Sequence, residues 1–203
     1  SDTMVLKLYS AVWLPRLEEI VELIMEALAP AGLVLRLSRN ITAAAQRDFG
    51  LSEGVIRGSS EDTVVFLENG LRFEAEVRQG QKTGFFLDQR ENRRRVGSLS
   101  AGADVLNAFS FSGGFSLYAA RGRARRVTDL DISAHALAAG ARNFALNHDI
   151  REVASCARET VQADAFEWLA AGQRQRFDVV VVDPPSLAKR EADRAGAIVA
   201  YER

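Results

Sequence analysis

From residue 105 onward the chain alternates short strand-like segments with apolar helical ones, and this alternation constrains the fold more than any other feature. Val105 to Phe109, Arg126 to Leu130, Glu159 to Gln162 and Phe177 to Val182 read as strands. Phe115 to Arg121, Ala134 to Leu146 and Phe166 to Ala171 read as the helices that separate them. A chain that returns through a helix after every strand builds a parallel sheet with helices on its faces. In the usual winding order 3-2-1-4, the fourth strand would form an edge. Val179 to Val182 nevertheless reads as a strand buried on both faces, so either further sequence or a second copy, giving a homodimer through the sheet edge, is expected to cover it.

Residues 1–79 follow a different grammar. A strand over Val5 to Tyr9 is followed by a helix opening at Pro15, where the missing N–H of proline does no harm. Leu17, Ile20, Val21, Ile24, Met25 and Leu28 recur at helical spacing, ending before Pro30 and Gly32, and Leu33 to Leu37 reads as a second strand. Thr63 to Leu67 and Leu71 to Val77 flank Asn69-Gly70, a pair suited to the positive φ angles of a tight hairpin turn. Phe73, Ala75 and Val77 alternate there with Arg72, Glu74, Glu76 and Arg78. These residues predict a small α+β domain, one helix on a mainly antiparallel sheet, with the boundary to residues 80–203 near Gly80.

Ligands of wound parallel sheets bind beyond the carboxyl ends of the strands, so the residues that close each strand carry the functional information. The first strand runs into Asn107-Ala108-Phe109-Ser110-Phe111-Ser112-Gly113-Gly114, whose glycines allow a tight turn and close approach to a ligand. Asp131 closes the second strand, eighteen positions after Gly113, where a carboxylate can accept both hydroxyls of a ribose. Asp164 follows the third strand and Asp183-Pro184-Pro185 the fourth. The two prolines remove backbone donors, leaving carboxylate and carbonyl oxygens to face a flat, donor-bearing ring. The loop lacks a true G-x-G-x-x-G, which favours methyl transfer over hydride transfer from a nicotinamide. Each Asp could instead cap the helix that follows it, although Ser133 is the better cap before Ala134 and frees Asp131 for ligand.

Several classes of function are set aside by composition. The single cysteine, Cys156, with only His135 and His148 beside it, offers no zinc spacing, so no metal is expected. No segment approaches the roughly 20 apolar residues of a membrane helix, and no secretion signal opens the chain, so no membrane partner and a cytoplasmic location are expected. A net charge of -1 excludes an overall electrostatic grip on nucleic acid, while the run of Arg90, Arg93, Arg94 and Arg95 offers either a local phosphate contact or a solvated basic face.

Thr83-Gly84-Phe85-Phe86-Leu87-Asp88-Gln89-Arg90, Leu106 to Phe115, Asp131-Ile132-Ser133 and Asp183-Pro184-Pro185 together resemble the bacterial 23S ribosomal RNA cytosine-C5 methyltransferases. The resemblance covers residues 80–203, and residues 1–79 are similar, less specifically, to that family's small central domain. It implies a Rossmann-like class I methyltransferase domain, represented by its early strands only, with S-adenosylmethionine as cofactor and ribosomal RNA as partner. That family usually opens with an RNA-binding PUA domain, for which this chain has no room, so these residues alone are not expected to capture RNA.

By the same resemblance, Asn107, Phe109, Ser110, Ser112 and Gly113 cradle the methionine end of the cofactor. Asp131, with Ile132 and Ser133, meets its ribose, and Asp164, with Ala165, meets its adenine. Phe86 covers the cofactor pocket, while Asp88, Arg90 and Pro185 hold the target base and Asp183 and Pro184 stand at the reacting centre. Phe85 and Phe86 could equally be ordinary core aromatics.

Carbon 5 of cytosine is a poor nucleophile, so a thiolate must first add to carbon 6. Cys156 precedes the third strand, at the end of the sheet away from the ligand, and is read as structural. The family's nucleophilic cysteine lies on a later strand. These residues alone are therefore expected to bind cofactor weakly or not at all and to show no turnover. Methylation of a guanine nitrogen in ribosomal RNA, which needs no thiol, is the nearest alternative. A non-catalytic RNA-binding fragment and a nicotinamide oxidoreductase are the others.

Overall fold

A computed structural model describes residues 2–78, 85–172 and 175–185. Gly80, Thr83, Gly84 and Tyr201 to Arg203, which figured in the boundary, the motif and the chain end, lie outside the described residues. The chain divides into two compact units, Ser1–Asn69 with Phe73–Leu87, and Gly70–Arg72 with Asp88–Arg203.

In the first unit, β1 (Thr3–Leu8) leads through a 3-10 turn (Ala11–Arg16) into α1 (Leu17–Leu28), then β2 (Gly32–Leu37), α2 (Arg39–Phe49) and β3 (Gly54–Gly58). Pro15 sits in the 3-10 turn, before the α-helix itself begins. The sheet order is β1-β2-β3, with β1 parallel to β2 and only β3 antiparallel. The expected mainly antiparallel sheet with one helix is thereby corrected: α1 is a crossover, which carries the chain back to start a parallel partner. The helix α2 went unread because only Ile41 and Ala45 of its residues are buried, too thin a stripe to register as periodic. Leu17 and Val21 of α1 join Leu33, Leu35 and Leu37 in the core, while Leu28, read as part of the same stripe, is exposed.

A two-stranded hairpin follows, β4 (Thr63–Glu68) and β5 (Leu71–Glu76). Its turn residues Asn69 and Gly70 have φ of 50° and 80°, the left-handed pair that the Asn-Gly signal predicts. Leu71, Phe73, Ala75 and Val77 are buried. Phe66, Phe73 and Phe85 form an aromatic cluster with ring centroids 4.8 to 5.9 Å apart, which makes Phe85 a core residue.

The second unit begins with a 3-10 turn (Leu87–Gln89) and α3 (Arg90–Leu99), then β6 (Asp104–Ala108), α4 (Gly114–Arg121), β7 (Arg126–Asp131) and α5 (Ala134–Leu146). The short α6 (Arg151–Ser155), β8 (Ala157–Gln162), α7 (Ala165–Ala170) and β9 (Val179–Val182) complete the described elements. The strands pair in parallel in the order β8-β7-β6-β9, the expected 3-2-1-4. Every residue of the central β6 is buried. Val105 and Val127 face Ala119 of α4 and Phe144 of α5, whereas Leu106, Ala108 and Leu130 face Ala165 and Trp168 on the opposite side, so the sheet is covered on both faces. At the edge of the described sheet, Val180 and Val182 of β9 remain exposed.

The amino end of this sheet is held by charge. Asp104 accepts from Arg125 Nε at 2.8 Å and Arg126 Nη2 at 2.6 Å, and its N–H donates to Asp178 at 2.8 Å. The Arg125 guanidinium, then Arg126, hold the Asp104 carboxyl below the usual carboxylate range against the opposing effect of burial. A depressed carboxyl stabilises the fold above the unfolded-state pKa of about 3.9, and that contribution disappears as pH falls through the lower folded value. Asp104→Asn is therefore expected to lower the melting temperature at neutral pH, and the gap from the unsubstituted chain should shrink as melts are repeated below about pH 3.9.

Candidate functional site

The ligand end of the second unit is built on the loop that leaves β6. Phe109, Phe111 and Gly113 all have left-handed backbone, with φ of 60°, 48° and 71°. That conformation is costly for phenylalanine, so other contacts must hold it. Ser110 N–H donates to Leu130 O at 3.0 Å and Phe111 N–H to Asp131 Oδ2 at 2.8 Å, tying the loop to the end of β7. Asn143 of α5, fully buried, donates to Ser112 O at 2.9 Å. Gly113 approaches Gly140 of α5 so closely that a Cβ on Gly113 would stand 3.4 Å from the Gly140 Cα.

Asp131 is half-buried and accepts one backbone N–H on each oxygen, Phe111 on Oδ2 and Ser133 on Oδ1 at 2.9 Å. A carboxylate oxygen has room for two donors, so both remain available to a diol. Ser133 caps α5 by accepting from Ala136 N–H at 3.2 Å, as its position suggested. Ile132 is exposed beside it. Asp164 caps α7, receiving Phe166 and Glu167 N–H on Oδ1, which leaves Oδ2 without a donor among the described residues. Its neighbour Ala165 is buried, and Phe109 meets Phe166 edge to face at 5.1 Å, so the ends of β6 and β8 are brought together.

Below the loop lies a buried polar chain that the sequence reading missed. Arg158 of β8 donates to Asp129 Oδ2 through Nε at 2.9 Å and Nη2 at 2.7 Å, and Ser116 of α4 donates to Asp129 Oδ1. Asn107 Nδ2 donates in turn to Ser116 Oγ at 2.9 Å. Burial pushes the Asp129 carboxyl upward, while Arg158 and Ser116 pull the other way. The Asn107 amide, expected to meet the cofactor, is turned under α4, so this residue braces the loop from beneath. A signal was available: two aspartates at spacing two, Asp129 and Asp131, point to the same side of a central strand, and a carboxylate buried there needs a partner.

The remaining candidates are more dispersed. β9 pairs Val182 with Ala108, which brings Asp183 to the level at which the β6 loop begins; Asp183 and Pro185 are exposed and Pro184 is half-buried. Asp88 and Arg90 are exposed at the start of α3, and Arg90 Nε contacts Glu91 at 3.3 Å. Phe86 is half-buried in the first unit. The arginine run is no single patch, since Arg93 is buried and Glu91 engages both Arg90 and Arg94. Cys156 packs near the amino end of β8, and its thiol is pushed up to about 11, chiefly by burial and then by the Asp129 charge. A thiol so raised is almost entirely protonated at neutral pH and is a poor nucleophile. A groove of about 470 Å³ lined by Arg123, Arg125, Arg151, Glu152 and Ser155 lies at the amino end of the sheet, beside Cys156 and away from the carboxyl-end loop. No helix among the described residues is long and apolar enough to cross a membrane.

Parallel strands in the order β8-β7-β6-β9, ending in a left-handed, glycine-bearing loop and a carboxylate that closes β7, form a Rossmann-like methyltransferase fold. Residues 27–194 match the model of the S-adenosylmethionine-dependent methyltransferases, and the chain belongs to that family. It is similar to a ribosomal RNA large subunit methyltransferase of Deinococcus radiodurans, 62% identical over 99% of this chain and 49% of that protein. It is also similar to a ribosomal RNA large subunit methyltransferase I of Aeromonas salmonicida, at 36% over 89% and 46% respectively. A solved methyltransferase complexed with SAH superposes with a TM-score of 0.77 at 26% identity, covering 94% of this chain and 48% of that one. The chain spans about half the length of the curated relatives it matches.

The cap at Asp164 and the proposed ligand role of its second oxygen are separable. Asp164→Ala is expected to cost about 0.5–2 kcal/mol of stability by chemical denaturation and Asp164→Asn, which can still cap, only a small fraction of that.

Proposed function

We propose that this chain is the cofactor-binding part of a ribosomal RNA large subunit methyltransferase, one that methylates carbon 5 of a cytosine in 23S ribosomal RNA. The observation that carries the reading is Asp131: a carboxylate at the carboxyl end of β7, anchored by Phe111 and Ser133 N–H groups and still able to accept two hydroxyls. The donor set fits S-adenosylmethionine. Asp131, with Ile132 beside it, would take the ribose, Asp164 Oδ2 the adenine, and the loop from Phe109 to Gly113 the methionine end. Bound there, the cofactor would supply a methyl made electrophilic by its sulfonium. The relatives' names support ribosomal RNA as substrate.

The chain's own residues would bind and orient. Asp183, exposed beyond β9, would accept from an amino group of the target base, and the two prolines after it contribute no competing N–H. Positioning of this kind is the main catalytic task when the electrophile is already activated. The carbon 5 reading also needs a nucleophilic thiol, and Cys156, raised to about 11 at the amino end of β8, does not provide it. Methylation of a guanine nitrogen, which needs no thiol, is the second reading. The exposed edge of β9 would accept a further strand, from the same protein or from a second copy.

Calorimetric titration with S-adenosylhomocysteine tests the reading. Binding is expected in the unsubstituted chain, weak because these residues span only part of the relatives, and it should vanish in Asp131→Ala while NAD gives no heat. Heat from NAD, or affinity unchanged in Asp131→Ala, would overturn it.

A further inference from the structure

The Asp129–Arg158 pair is an unusual thing to bury. Asp129, on the inner strand β7, is fully inaccessible, and the Arg158 side chain, on the edge strand β8, is 16% exposed, on a face packed mainly by Val, Ala and Phe144. Removing two charges from water is costly, and an apolar pair of the same volume usually serves stability as well or better. Stability alone therefore does not account for it.

Its contacts show where its influence goes. Asp129 stands opposite Asn107 in the β6–β7 register, and both reach Ser116, in the first turn of α4 just after the cofactor loop. A Cβ on Gly113 would lie 3.6 Å from Asp129 Oδ2, and one on Gly140 would lie 2.9 Å from Arg158 Nη2 and 3.5 Å from the Ser112 carbonyl carbon. Loop backbone, helix α5 and the guanidinium are thus stacked with no side chain between them. The Arg158 guanidinium is itself fixed against the Phe144 ring at 4.8 Å. The loop above is the segment whose left-handed phenylalanines need external support.

We infer that Asp129, Arg158 and Ser116 are positioning residues for the cofactor: the buried pair sets the height and angle of the loop from Phe109 to Gly113, and Ser116 transmits that setting to the first turn of α4. This rests on the reading of that loop as the seat of the methionine end. No residue of the three touches the ligand; each acts through Gly113, Gly140 and the start of α4.

Ser116→Ala, which keeps the ion pair, and the apolar replacement Asp129→Leu with Arg158→Met separate positioning from mere structure. Two measurements apply to both. The first is hydrogen exchange without ligand, read at the Ser110, Phe111 and Gly113 amides, which the loop's own bonds protect. The second is titration with S-adenosylhomocysteine beside 5′-methylthioadenosine, which shares its ribose and adenine but lacks the amino-acid end. The expected result is faster exchange confined to those amides, with β6, β7 and β8 still protected. The homocysteine ligand should bind about tenfold more weakly, a change of about 1.4 kcal/mol, with methylthioadenosine little affected. Unchanged loop protection in both variants, or an equal loss for both ligands together with sheet-wide exchange, would overturn the inference. If the unsubstituted chain binds neither ligand, these residues do not complete the pocket, and exchange at the loop alone decides whether Asp129, Arg158 and Ser116 hold it.

Discussion

The bond from Phe111 N–H to Asp131 Oδ2 joins the two features on which the ligand end depends, a strained loop and a carboxylate. Without a partner of this strength, a left-handed phenylalanine would relax to ordinary backbone. Without the donor, Asp131 would be held on one oxygen only, by Ser133 N–H. The same bond therefore shapes the loop and aims the carboxylate. Ser133 N–H holds the other oxygen, so the carboxylate is oriented through both of its oxygens.

The sheet separates its tasks along the strand direction. At the amino end, Asp104, Arg125, Arg126 and Asp178 make charged contacts that bind the strands and their incoming turns together. Cys156 belongs to that end, where burial and the Asp129 charge hold it protonated. At the carboxyl end, side chains accept backbone N–H groups and keep lone pairs in reserve. A parallel sheet favours this division because every strand delivers its carboxyl end to the same side, so residues far apart in sequence converge there.

That convergence explains how much of the site was legible in the sequence. The α5 bounds Ala134–Leu146, the Ser133 cap and the Asn69-Gly70 turn each follow from local chemistry that a few adjacent residues carry, and the strand order follows from the usual winding of alternating strands and helices. Asp164 was legible both as a cap and as a ligand, and the structure shows the cap, on one oxygen of two. What escaped was non-local. The resemblance implies that Asn107 meets the ligand, whereas strand parity puts it on the same face as Val105, where its amide donates to Ser116 of α4. Arg93 was counted with a basic run, yet α3 turns it inward. The parallel pairing of β1 and β2 depends on where a crossover lands, which no single segment specifies. The Asp129–Arg158 pair is invisible in either strand alone, since each residue is explained only by the other.

The choice between carbon and nitrogen as the methyl acceptor turns on the same distinction between local and non-local information. Everything described at the carboxyl end, from Asp131 to Asp183, suits either target, because both need a held cofactor and a base presented edge-on to acceptors. Only the carbon 5 route adds a demand, a thiolate facing carbon 6 of the ring. The thiolate must sit at the ligand end of a strand, with its pKa lowered toward neutrality by a nearby positive charge or helix N-terminus. Cys156 fails on both counts, being at the opposite end and raised by burial and a carboxylate.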